Sequence, residues 1–149
     1  MINQNSPLEI EPGREILEEM IHALRQRIKN QAEIILKITR EQFKLLQAIS
    51  QNKEEVIQKD MADRIGKNKS TILRLIDSLE TKGLVRRAVD TKDRRKNYLM
   101  VTKKGEEIIK QYENILKLII EDLQQGLTVS ELNTFYKVAV HFKNRAENT

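Results

Sequence analysis

The sequence predicts a mostly helical protein with one small β-hairpin, and three observations carry that prediction. Apolar residues recur at helical spacing over most of the chain. Residues 58–83 hold two short helix patterns separated by a turn at Gly66. Two strand patterns follow at once, about Leu84–Val89 and Lys96–Val101, joined by the basic tip Asp93-Arg94-Arg95. Helix, turn, helix and hairpin in that order make a winged helix-turn-helix, expected over about 39–104.

Each element has its own signal. Residues 1–13 contain both prolines and read as an N-terminal arm, with the rest, 14–149, as one domain. Over 14–35, Ile16, Leu17, Met20, Ile21, Leu24 and Ile28 fall on a helical stripe. Thr39-Arg40-Glu41-Gln42 is a capping box that opens a helix carrying Phe43, Leu46 and Ile49. Asn52–Glu55 reads as a loop and Val56-Ile57 as a short strand. The next helix is expected to bury Met61, Ala62 and Ile65 before Gly66 turns the chain.

Asn68 is a good N-cap for the helix after it, which buries Ile72, Leu75, Ile76 and Leu79 and stops at Gly83. In the second strand, Tyr98 and Met100 face one way, Leu99 and Val101 the other. Thr102 caps the longest helix pattern, rich in paired apolar positions (108/109, 115/116, 119/120) and stopped by Gly126. Thr128-Val129-Ser130-Glu131 is a second capping box, and the last helix carries Leu132, Phe135, Tyr136, Ala139, Val140 and Phe142.

Composition bounds the function. The 149 residues suffice for a real core, and no apolar run approaches the ~20 residues of a membrane span. No secretion signal is visible at the N-terminus, and a cytoplasmic location is expected. Cysteine is absent, which removes disulfides and thiol chemistry. The net charge of +5 is unevenly spread: residues 64–104 hold 13 basic and 4 acidic residues, +9, against −4 for the remainder. A cationic module on an otherwise slightly acidic chain is the footprint of a polyanion-binding surface.

The polar face of the second helix of the motif, with Asn68, Lys69, Ser70, Thr71 and Arg74, suits a major groove. The tip Lys92, Asp93, Arg94, Arg95 and Lys96 suits the narrow groove and the phosphates beside it. A merely solubilising charged face would have no reason to coincide with both.

Four stretches in order resemble the MarR family of bacterial transcription regulators: Asn68–Ile72, Leu79-Glu80-Thr81-Lys82-Gly83-Leu84-Val85-Arg86-Arg87, Asp93-Arg94-Arg95, and Val101-Thr102-Lys103-Lys104-Gly105. Val101 stands where the family pattern has Leu. The helix order extends the resemblance over nearly the whole chain. It implies a homodimer interlocked through helices at about 14–35 and 103–146, bound to a pseudo-palindromic double-stranded operator. By position, Arg95 matches the family's minor-groove arginine and Asp93 the carboxylate that orients it; Arg94 and Lys96 would contact the backbone. The resemblance favours a repressor and a small-molecule effector, often an aromatic acid, whose pocket residues the sequence does not single out.

Other chemistries find little support. No phosphate loop, nucleophile elbow or paired carboxylate frame is present, so no enzyme and no cofactor are expected. The two histidines, His22 and His141, lie at opposite ends of the chain without clustered ligands, and no metal site is expected. The rival reading is a protein-interaction module whose basic patch meets an acidic partner.

Overall fold

The structure is a computed structural model that describes residues 10–52, 56–57, 61, 66–89, 91–93 and 97–148. Its elements are helices α1 (Ile10–Ile28), α2 (Ile34–Leu36), α3 (Arg40–Gln51), α4 (Lys69–Thr81), α5 (Lys103–Leu123) and α6 (Val129–Glu147). The strands are β1 (Val56–Ile57), β2 (Val85–Val89) and β3 (Asn97–Val101). The chain divides into two compact units, Met1–Leu116 and Lys117–Thr149.

The N-terminal helix departs from expectation at its start and in its interior. It begins at Ile10, inside the expected arm of residues 1–13. Pro12 is tolerated there because first-turn amides have no intrahelical partner. Between α1 and α2 the helix widens into a π segment, Lys29–Glu33, in which the Ile34 amide donates to the Lys29 carbonyl. The sequence gives a reason. Met20, Leu24, Ile28, Ala32 and Leu36 are at least half-buried and recur every four residues. Four residues of α-helix overshoot a full turn by about 40°, so such a stripe winds away from its partner. A π turn holds more residues and winds it back. The Ala32 side chain is thereby fully buried. The helix ends at Lys37, whose φ of 55° is left-handed.

One cluster forms the core of the first unit. Ile38, Phe43, Leu45, Leu46 and Ile49 meet Met61, then Ile72, Ile76 and Leu79 of α4, then Leu84, Val85 and Leu99 of the hairpin. The start of α5 closes it with Ile109 and Tyr112, the Tyr112 ring stacked on Phe43 at 3.9 Å between centroids and 9° between planes. The expectations at Ala62 and Ile65 lie outside the described residues.

The hairpin joins a third strand, the short one expected at Val56-Ile57. β3 pairs β2 antiparallel from Val85↔Val101 to Val89↔Asn97, and β1 pairs the other side of β3 through Val56↔Leu99 and Ile57↔Tyr98. Alternation along β3 follows the pleat: Leu99 is buried, Met100 exposed, Val101 half-buried. β2 begins at Val85, one residue inside the expected bound of Leu84; Lys96, the expected start of the other strand, lies outside the described residues.

The second unit holds the end of α5 and all of α6. Thr128 opens α6 with the expected capping box, its hydroxyl accepting from the Glu131 amide while Glu131 accepts from the Thr128 amide. Leu127, Val129, Phe135, Tyr136, Val138 and Phe142 are exposed. A row of large apolar side chains in water is a cost that covering would remove.

Candidate nucleic-acid interface

Helix α4 is held from behind and open in front. Asn68 caps it, its side-chain oxygen accepting from the Thr71 amide at 2.8 Å and from the Ser70 hydroxyl at 3.0 Å. Lys69, Ser70 and Arg74 are exposed, and Thr71 is half-buried. No acidic residue stands in the first turn. The positive end of the helix dipole, a neutral cap and two cations therefore face outward together, a favourable setting for a phosphate. Of the five residues expected on this helix to meet DNA, Asn68 also has this structural task at the cap.

The far end of α4 is closed by a Schellman turn that accounts for the Leu79–Leu84 motif. The Leu84 amide donates to the Leu79 carbonyl and the Gly83 amide to the Glu80 carbonyl, both at 2.9 Å. Gly83 sits at φ 74°, where a side chain would be strained. The following motif is joined to it. Thr102 donates its hydroxyl proton to the Gly83 carbonyl at 2.6 Å and accepts from the Gly105 amide at 3.1 Å, which caps α5. Gly105 has no room for more: a Cβ there would lie 2.3 Å from the Leu84 carbonyl oxygen. These two stretches are thus the joint between α4, the hairpin and α5.

Arg87 ties the hairpin to α4. It reaches Glu80 at 2.9 Å and Asp77 at 2.5 Å, and its backbone amide also donates to Glu80. Burial alone would favour a neutral guanidinium, but the hydrogen bonds to Asp77 and Glu80 outweigh it and hold the charge more firmly than usual. Summed charge hid this division of labour. Arg87 neutralises two carboxylates of α4, and it is not itself spare cation for the patch. Lys82 is similarly engaged, donating to the Lys37 carbonyl at 2.6 Å.

At the wing, Lys92 is exposed and Asp93 half-buried. Arg94, Arg95 and Lys96 lie outside the described residues. His22 and His141 are both exposed, on α1 and α6. Among the described residues no cluster of three or more metal-ligating side chains occurs, and no helix is long and apolar enough to cross a membrane.

A groove of about 670 Å³ opens beside α1 and the start of α3. Ile21, Leu24 and Ile28 line it with the cations Arg25, Lys29 and Arg40 and the carboxylates of Glu33 and Glu41. Sequence reasoning could not find it, because its walls come from two helices whose apposition no motif records.

Comparison with known proteins places these features. The MarR family model matches residues 38–96. The structure superposes on a crystal structure of MarR with a TM-score of 0.71, at 26% identity over 93% of this chain and 99% of that one. On Staphylococcus aureus MepR in a DNA complex the TM-score is 0.71, at 21% identity over 89% and 96%. On PcaV from Streptomyces coelicolor, in complex with its natural ligand, it is 0.68, at 19% identity over 92% and 94%. The MarR family model thus matches 59 of the 149 residues, and nearly the whole chain shares its fold with these solved structures.

Proposed function

We propose that this chain is a cytoplasmic homodimer that binds a pseudo-palindromic operator on double-stranded DNA and represses transcription until a small ligand releases it. One observation carries the reading. The recognition helix is pinned on its inner face by Ile72, Ile76 and Leu79, while its acid-free first turn exposes Lys69 and Ser70 beside the half-buried Thr71, and Arg74 is exposed in the next turn. Those side chains can reach base edges and phosphates of a major groove. Lys92 to Lys96 form the wing that enters the flanking minor groove, with Arg95 as the inserted guanidinium and Asp93 as its orienting carboxylate.

The exposed apolar side chains of α6 and of α1, with Ile16 and Ile21 among them, support a second copy as their cover. With three cations against the two carboxylates of Glu33 and Glu41, the groove suits a small aromatic acid: its carboxylate meets Arg25, Lys29 or Arg40, and its ring meets Ile21, Leu24 and Ile28. MepR in its DNA complex and PcaV with its ligand supply precedents on the same fold.

Electrophoretic shift with the DNA flanking its own gene tests the reading. Arg74→Ala should cost about 1–3 kcal/mol per half-site and relax preference at particular base pairs. Arg95→Ala should weaken every duplex alike. A chain that binds heparin but no duplex would sink the proposal and favour an acidic protein partner. Benzoate-class acids that bind without loosening the DNA complex would remove the release step alone.

A further inference from the structure

Gln42 is the one buried polar side chain among the described residues, and both ends of its amide are used. Its oxygen accepts from the Thr39 amide at 2.9 Å and from the Lys82 ammonium at 3.0 Å. Its nitrogen donates to the Ser78 hydroxyl at 2.7 Å. The backbone N–H of Thr39 can only donate, which fixes the amide orientation. The Lys82 ammonium donates as well to the carbonyl of Lys37, the left-handed corner that ends the N-terminal helix. Four points therefore converge: that corner, the N-cap of α3, the last full turn of α4 and its C-cap. The apolar face of α4 resists its departure from the core but fixes its rotation and slide only weakly, because dispersion is not directional. Hydrogen bonds to a charged donor in a half-buried site are directional.

We propose that Gln42 and Lys82 are positioning residues for DNA recognition. They set the rotation of α4 about its axis, and so where Thr71 and Arg74 point. The inference rests on the DNA-binding reading above and adds a requirement of its own. Register errors of the helix hurt sequence discrimination more than phosphate attraction, since base-edge contacts need exact geometry and phosphate contacts tolerate displacement.

The test uses the full chain and two probes: a duplex pool enriched from a random library by the wild-type protein, and the unselected library. Lys82→Met and Gln42→Met should each lower the selected-over-unselected affinity ratio about tenfold, in keeping with loss of a hydrogen bond to a charged group. Affinity for the unselected library should change by less than about threefold, the scale expected for one lost charge. Gln42→Glu keeps the acceptor for Thr39 and Lys82, and the Ser78 hydroxyl can turn to donate; it should retain the ratio. Should Gln42→Met lose its helical signal, Ser78→Ala, which removes a single contact near the end of α4, carries the test by the same ratio. Variants that melt earlier yet keep the wild-type ratio while fully helical would overturn the positioning role. A wild-type protein that enriches no sequence would instead bring down the DNA-binding reading itself.

Discussion

Gly105 shows how much of the Val101–Gly105 motif is packing. Its missing Cβ leaves room for the Leu84 carbonyl and for Val101, which a methyl would meet at 2.3 and 2.6 Å. Backbone on one side cannot give way cheaply. Gly105→Ala should therefore destabilise by about 3 kcal/mol or more, an overpacking cost, read as a drop in calorimetric melting temperature. Tyr112 carries a second residue-scale expectation. Burial, and then the nearby Glu33 carboxylate, hold its phenol above the ordinary value of 10.0. The unfolded chain loses that proton first as the pH rises. The stability Tyr112 contributes is thus complete below its unfolded value and is lost as the pH climbs through the folded one. Tyr112→Phe keeps the stack on Phe43 and should flatten the loss of stability in alkali, measured by denaturant titration at several pH values.

Among the elements, α4 and the hairpin behave as one piece because Arg87 and the Schellman turn join them. Arg87→Met should lower DNA affinity, since it frees two carboxylates beside the interface. Asp77→Asn should leave affinity equal or higher, measured by fluorescence anisotropy at low salt. Equal losses from both would mean that the ion pair itself, and not relief of repulsion, is what binding needs. Most elements were legible in the sequence for local reasons. Thr39, Asn68, Thr102 and Thr128 cap helices through bonds spanning three residues, and such bonds are written in spacing. The third strand of the sheet showed only as two β-branched residues, Val56 and Ile57, and its pairing with β3 depends on residues far off in sequence. The links from Gln42 to Ser78 and Lys82 span 36 and 40 positions, and no local pattern encodes them. The polar face of α4 was readable as a binding face. That Arg87 is spent on carboxylates was not, because composition counts charges without placing them.

For the whole molecule, a basic module on a slightly acidic chain predicts association dominated by phosphates. Two modules per dimer neutralising on the order of ten phosphates should give a steep fall of affinity with salt on a log–log plot. Light scattering should return the mass of two chains at micromolar concentration. A single-chain mass across that range would leave the apolar side chains of α6 without the cover proposed for them. Loss of residues 1–30 should promote aggregation, because the stripe from Leu17 to Ile28 then no longer shields its neighbours.

The π segment at Lys29–Glu33 has an implication for how this chain could be shortened. Such a bulge is what a helix adopts when it must lodge one residue too many between two fixed anchors, here Ile28 and Leu36. Removing Asn30 should let the stretch relax to an ordinary α-helix, with both anchors still meeting the core. A chain one residue shorter is then expected to fold with undiminished helical circular dichroism. Most single deletions inside a long helix rotate everything beyond them by about 100° and have no such refuge.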